Sequence, residues 1–170
     1  IGFHVAALYS KIQYLNKIIS DLQDYAREVN PEKSRTNLKM FFEDLIQKIS
    51  PPPSILIQKE IESDAGISLD PHLLSRVMEN LINNAIQAME HGGTLTLTSH
   101  ISKDNLIITI RDTGTGISLD SQPRIFDPLY TTKPKGTGLG LSVTRRLIEA
   151  HGGKISLIET SPGGTTFEVT

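Results

Sequence analysis

Three short stretches carry residue types suited, in turn, to holding a hard cation, lining a polar pocket and cradling an anion. In the first, Glu79-Asn80-Leu81-Ile82-Asn83-Asn84-Ala85, Asn80 and Asn84 are four apart and share one face of any helix that holds them. An amide carbonyl is a hard-oxygen ligand of the kind Mg²⁺ takes, with phosphates and water completing its shell; two such amides also suit a plain polar surface. In the second, Asp112-Thr113-Gly114-Thr115-Gly116-Ile117, a carboxylate is followed by two spaced glycines. That pattern suits a polar-floored pocket with open backbone, and equally a tight turn capped by its Asp. The third, Lys135-Gly136-Thr137-Gly138-Leu139-Gly140-Leu141-Ser142, places three alternate glycines before a helical pattern. Free backbone N–H groups and the positive end of a helix make an anion cradle there, with a flexible loop as the alternative. The spacing is neither that of a Walker loop nor that of a dinucleotide fingerprint.

The elements that must position these stretches follow from pattern. Asp70 with Pro71 behind it starts a helix that runs to about Met89, where Gly92-Gly93 stop it. The two asparagines therefore sit on that helix. Thr94 to Ile101 and Leu106 to Arg111 alternate as strands around a Lys103-Asp104-Asn105 turn, so Asp112 falls at a strand end. A helix from about Gly140 to Ala150 follows the third stretch, and Lys154 to Thr160 and Thr165 to Thr170 read as a closing hairpin. Upstream, Ser34 to Leu38 reads as a short edge strand, Asn37 caps a helix to Ile49, and Ile55 to Ile61 and Ile67 to Leu69 are extended. Together these predict an α/β two-layer sandwich, with helices on one face of a mixed, largely antiparallel sheet. The glycine- and proline-rich run from Asp112 to about Gly138 is too long to be a mere connector.

Residues 1–30 differ in kind. Ile1, Val5, Leu8, Ile12, Leu15, Ile19, Leu22 and Ala26 repeat at alternating intervals of four and three, a narrow heptad seam suited to a bundle or coiled-coil helix. Pro31 ends it. The boundaries are therefore 1–30 for this helix and 31–170 for the sandwich. The chain has 170 residues and no cysteine, which excludes disulfides, thiolate metal sites and a thiol nucleophile. Its net charge of −2 gives no polyanion signature, so no nucleic-acid partner is expected. No apolar run approaches the length of a membrane span.

The three stretches, in this order, resemble the ATP-binding domain of sensor histidine kinases, whose superfamily includes gyrase, a heat-shock chaperone and a mismatch-repair ATPase. Asn80 to Ala85 looks like the N box, Asp112 to Ile117 like the first glycine box and Ile125-Phe126-Asp127-Pro128-Leu129-Tyr130-Thr131-Thr132-Lys133 like the F box. Gly136 to Leu141 looks like the second glycine box, and Gly163-Gly164-Thr165-Thr166-Phe167 like the final glycine-threonine strand. The run Asn84-Ala85-Ile86-Gln87-Ala88 and the Thr-Thr-Lys-Pro-Lys-Gly run are closest to nitrogen-regulator-type kinases. More weakly, Tyr14 to Arg27 resembles the second helix of the dimerisation and phosphoacceptor hairpin.

The resemblance implies a Bergerat-type fold and a cytoplasmic catalytic region, within an intact protein that could be membrane-anchored. It further implies ATP and Mg²⁺ as cofactors, a response-regulator receiver domain as partner and homodimerisation through the N-terminal helix. Asn84 would hold Mg²⁺ with Asn80 in support, Asp112 would accept the adenine amino group, Gly116 would admit the ring, and Thr165 would brace the contact through its hydroxyl or a water. Residues 118–139 would form a lid that nucleotide orders, with Phe126 as latch and Lys133 on the γ-phosphate. Ala88, Gly114, Ile117, Thr132, Gly136, Thr137, Gly138, Leu139, Gly140 and Leu141 complete the nucleotide-binding set so implied. The sequence departs from many family members in one respect: Gln87 stands where a basic residue follows the metal-binding Asn, leaving Lys133 or Lys135 to supply that contact.

The implied reaction is transfer of the γ-phosphoryl to a histidine. A hydrolase of the superfamily carries a glutamate where Asn80 stands, and an amide cannot take a proton from water; an ATPase or a serine kinase is the rival reading. His4 lacks the following acid and nearby proline of an acceptor box, so it is expected to be a bystander. His72, His91, His100 and His151 read as structural or solvent-exposed, and Arg145 and Arg146 as solvated.

Overall fold

The computed structural model describes residues 9, 12, 15, 16, 18, 19, 22, 23, 25, 26, 28–62, 67–102, 105–134 and 136–170. The described residues from 9 to 26 are helical. The heptad seam as one continuous element, His4, Lys135 and the Lys103-Asp104 part of the expected turn lie outside the described residues.

From residue 34 onward the elements are β1 (Ser34–Thr36), α1 (Leu38–Ile49), β2 (Ile55–Ile61), β3 (Ile67–Leu69), α2 (Pro71–Ala88), β4 (Gly93–Ser102), β5 (Asn105–Asp112), α3 (Gly140–His151), β6 (Ile155–Ser161) and β7 (Gly164–Val169). A 3₁₀ turn at Gln122–Arg124 interrupts the long connection between β5 and α3. Both expected caps form. The Asn37 side chain accepts from the Met40 N–H at 3.0 Å, and Asp70 Oδ1 accepts from the N–H groups of His72 and Leu73. Each removes an orphan donor from a first helical turn.

The main sheet has the order β2-β4-β5-β7-β6. Only β2 and β4 run parallel; the other neighbours are antiparallel. The parallel pair needs a crossover, and α2 lies on it. β1 and β3 pair with each other in a separate two-stranded ribbon. Leu95 and Leu97 of β4, Ile108 and Ile110 of β5, and Phe167 of β7 are buried with Phe42 of α1 and Met78, Leu81 and Ile82 of α2. Alternation along β4 puts Leu95 and Leu97 inside and leaves Thr94 and Thr96 less buried on the other side. β5 is the central strand, so its last residue, Asp112, is held from both sides: opposite Leu95 on β4 and opposite Thr165 on β7.

One buried polar knot ties the entry segment to the sandwich. Asp70 Oδ2 accepts from the Glu32 N–H at 2.8 Å, while the Asp70 N–H donates to His151 Nε2 at 3.1 Å. His151 Nδ1 in turn lies 3.0 Å from the Leu147 carbonyl, which makes this histidine structural, as expected. Burial pushes the Asp70 carboxyl upward, but the N–H groups of Leu73, Glu32 and His72 and the nearby His151 outweigh it and hold the group below the usual carboxylate range. Its folded pKa is therefore depressed. The stability it contributes is present above the unfolded value of about 3.9 and is lost as pH falls through the folded value. Asp70→Ala is expected to cost about 1–3 kcal/mol at neutral pH, with the gap to the parent protein narrowing below about pH 4. Urea unfolding at several pH values measures this, and a gap independent of pH would contradict it.

Candidate nucleotide site

The structure gathers the three motif stretches around the C-terminal half of α2. Asn80 faces α3, where its Nδ2 donates to Thr144 Oγ1 at 2.9 Å; Thr144 is buried. The approach of the two helices here depends on Gly140. A Cβ at that position would run into the Asn80 side-chain amide. The third glycine of the alternating run thus serves helix packing, a role its spacing did not reveal.

Glu79, one residue away, turns elsewhere. Its Oε1 accepts from Lys48 Nζ of α1 at 2.6 Å and from Ser75 Oγ at 2.7 Å. Burial raises its carboxyl, but Lys48 and Ser75, with Arg76 nearby, more than offset that and hold it below the ordinary glutamate range. It is an ionised partner of α1 rather than a base facing α3.

Asn84, one turn beyond Asn80, accepts from Lys133 Nζ of the long connection, Oδ1 lying 3.2 Å away. The same ammonium donates to Gln87 Oε1 at 2.7 Å. Gln87, the departure noted in the sequence, is thus a partner of the lysine that was expected to compensate for it. No group of three or more His, Cys, Asp or Glu able to hold a metal occurs among the described residues. A divalent cation at Asn84 would rely on nucleotide phosphates and water for most of its shell, as Mg²⁺ commonly does. The donor chemistry fits, because the Asn84 oxygen already accepts from a cation.

Asp112 is buried. Its Oδ1 accepts from the N–H groups of Gly114 at 2.8 Å and Thr165 at 3.3 Å. Among the described residues no donor reaches Oδ2. Burial pushes the carboxyl up; the two N–H groups and the charge of Lys133 oppose this without cancelling it, so the group titrates above the usual Asp range.

The turn after Asp112 packs against the end of α2, where the Thr115 N–H donates to the Ala88 carbonyl at 3.1 Å and Gly114 lies against Ala88. Gly116 has φ +73°, and a Cβ there would strike the Ser161 carbonyl of β6. The Ile117 N–H donates to Thr160 Oγ1 at 2.8 Å, and Thr160 Oγ1 lies 3.2 Å from Thr165 Oγ1. Thr165 therefore meets Asp112 through its backbone N–H, whereas its hydroxyl, the group expected to brace that contact, lies against Thr160 and so supports the following turn. Thr160 is a supporting residue that sequence reading missed; its place opposite Thr165 in the closing hairpin was the available signal.

The connection carrying the F box is pinned at two points. Ile125 is buried, and Phe126 packs edge-on to Phe167 at 6.3 Å between ring centroids. Leu139 is buried at the other end, and Leu141 packs against the core. Leu129 is exposed and adopts φ 64°, an uncommon conformation for a branched side chain. Gly138 (φ +70°) is pressed against the Leu129 carbonyl group. Between the pins, the Gly136 N–H donates to the Lys133 carbonyl and Thr137 Oγ1 accepts from the Leu139 N–H. Among the described contacts none joins Thr132, which is exposed, to the pocket residues.

Of the two arginines read as solvated, Arg145 is exposed and Arg146 half-buried, and each also lies over an aromatic ring. Arg145 sits 4.4 Å above Phe126 and Arg146 5.5 Å from Tyr25. Each places its charge over a ring face, a cation–π contact that a sequence shows only as charge. A separate cleft of about 630 Å³ lies against the β2–β4 edge, lined among others by Lys39, Glu43, Lys59 and Ser99, and includes none of the motif residues. Ser99 Oγ is buried there without a hydrogen-bond partner.

This fold and this convergence of boxes define a class. The chain belongs to the histidine kinase-, DNA gyrase B- and HSP90-like ATPase family, whose model matches residues 69–170. It is 32% identical over 169 residues to the signal transduction histidine-protein kinase AtoS of Escherichia coli (strain K12), covering 96% of this chain and 28% of that protein. It therefore spans less than a third of that relative. Full-length ShkA in complex with AMPPNP shares the fold with a TM-score of 0.85 at 23% identity, over 98% of this chain and 37% of the other. The histidine kinase ThkA, solved in complex with the response regulator protein TrrA, aligns with a TM-score of 0.77 at 25% identity, over 98% of this chain and 49% of the other.

Proposed function

We propose that this chain is the ATP-binding catalytic region of a two-component sensor histidine kinase, transferring the γ-phosphoryl group of ATP to a histidine outside residues 1–170. The family also contains ATPases, so the observation that carries this reading is the fate of Asn80 and Glu79. The amide faces α3 and cannot take a proton, while the neighbouring carboxylate is occupied by Lys48 of α1. Neither of these two side chains offers an attacking water a general base. Phosphoryl transfer asks mainly for positioning and charge stabilisation, and the site is equipped for those. Asp112 Oδ2 would accept the adenine amino group, the second glycine box would receive the phosphates, and Lys133 would reach the γ-phosphate. Asn84 would hold Mg²⁺, which when bound spreads the negative charge of the phosphates.

Dimerisation through the N-terminal helix belongs to the same proposal. Ile12, Leu15, Ile19 and Leu22 of the seam are exposed apolar side chains that a second copy would cover. A receiver domain as phosphoryl acceptor is suggested by the ThkA–TrrA complex. No helix among the described residues is long and apolar enough to cross a membrane; placement of this region in the cytoplasm is part of the proposal.

The chain alone, incubated with γ-labelled ATP and Mg²⁺, should acquire no acid-labile label, and adding an acceptor-histidine helix in trans should produce it. Steady release of phosphate without label would turn the reading to an ATPase, and acid-stable label to a serine kinase. Acid-labile label that vanishes in His4→Gln would make His4 the acceptor.

A further inference from the structure

Lys133 sits on the oxygen that a metal would use. Its ammonium donates to Asn84 Oδ1 at 3.2 Å and to Gln87 Oε1 at 2.7 Å. Both acceptors are neutral amide carbonyls three residues apart on α2, so they lie side by side on one helix surface. An amide oxygen serves either an ammonium or a hard divalent cation. Mg²⁺ approaches its oxygen ligands to about 2.0–2.1 Å. An ammonium left on the same oxygen would then be a close, repelling neighbour.

We infer that Lys133 is a built-in competitor for the metal at Asn84, held in that position by Gln87. With the ammonium in place, the long connection is tied to α2 and the Asn84 oxygen is taken. A metal–nucleotide can bind through Asn84 only by displacing the ammonium. The shorter of the two bonds is to Gln87, which gives a role to a residue otherwise readable as an exposed polar position on the helix. A basic side chain at position 87 would repel the lysine; glutamine attracts it. The displaced ammonium remains on the connection facing the phosphates, so one side chain opposes metal entry and then meets the nucleotide. This inference rests on the nucleotide reading of the site.

The test uses ADP, which offers no γ-phosphate to Lys133. Calorimetry on the full chain gives the ADP dissociation constant with chelator and with saturating Mg²⁺, and the ratio of the two measures the metal's contribution. Lys133→Met and Gln87→Leu should each raise that ratio by about three- to tenfold over the parent chain. Asn84→Ala should bring the ratio close to one. Without nucleotide, hydrogen exchange over residues 127–134 should quicken in both Lys133→Met and Gln87→Leu, since each unties the same contact. If ADP binds and the ratio is unchanged in both variants, the competition is overturned while the nucleotide reading stands. If the parent chain binds ADP under neither condition, both fall together.

Discussion

Asp112→Ala is expected to weaken ATP binding at least about tenfold, since a hydrogen bond to a charged group contributes about 1.5–3 kcal/mol. The alanine variant also deprives the Gly114 and Thr165 N–H groups of their acceptor, so part of its effect falls on stability. Asp112→Asn separates the two. Its carbonyl can keep both N–H groups on the Oδ1 side, while its amide nitrogen presents a donor where the adenine amino group also needs an acceptor. If Asp112 reads adenine, the asparagine variant should fold like the parent and still lose ATP; a folded asparagine variant with unchanged affinity would remove Asp112 from base recognition. The pH dependence gives a further check. The folded carboxyl titrates above the usual range because of burial, so the charged contact should fade as pH falls through that raised value. The effect of this group on stability has the opposite sign from that of Asp70. A raised folded pKa means the folded state binds the proton more tightly, so Asp112 favours folding more as pH falls.

The second large effect is expected at Gly116. A non-glycine residue at a positive φ costs roughly 1–2 kcal/mol, and here an added Cβ would also strike the Ser161 carbonyl of β6. Backbone cannot swing aside as a side chain end can. Gly116→Ala should therefore cost roughly 2 kcal/mol or more, lower Tm by roughly 4–8 °C and disturb the turn that follows Asp112. Two other glycines calibrate the result. Gly152 has φ +87° with nothing within 4 Å of an added Cβ, and Gly163 meets only Ser161 Oγ at 3.7 Å. Gly152→Ala should show the conformational cost alone, and Gly163→Ala almost none. Thermal melts of the three variants settle the matter: if Gly116→Ala melts where Gly152→Ala does, the contact with Ser161 carries no weight.

Local chemistry was the most legible part of this chain. Asn37 and the Asp70-Pro71 pair mark helix starts because their side chains and ring act on the adjacent turn, within reach of a sequence reading. The strand alternation at Ile55 to Ile61 was equally plain, yet its parallel partner β4 was not, because alternation identifies a buried face and says nothing of which strand lies beside it. The separate β1–β3 ribbon escaped for the same reason. In the site, Asn80, Asn84 and Asp112 were singled out by type and spacing. What they touch depended on distant chain: Thr144 for Asn80 and Lys133 for Asn84 came only with the structure, while Thr165 beside Asp112 was implied by the family resemblance and not by spacing. The placement of Arg145 over Phe126 and Arg146 over Tyr25 could not be read from two adjacent charges. Leu129, an apolar residue of the F box, is exposed where the chain turns through a left-handed conformation.

The attachment of the connection between β5 and α3 bears on how such a site can change over generations. Its two ends are fixed by the central strand at Asp112 and by buried Leu139 at the start of α3, so closing the loop is a matter for the sheet and helices rather than for the residues between. The entropy of closure grows only logarithmically, and doubling the length of such a segment costs about 0.6 kcal/mol. On closure entropy alone, insertions between Phe126 and Leu139 therefore cost the fold little. Asp112 and Thr165, assigned here to the base, belong to strands whose register tolerates no slip, whereas Lys133 and Gly136, assigned to the phosphates, ride on a segment whose length closure entropy constrains only weakly. Selection can then retune phosphate handling while base recognition is inherited unchanged.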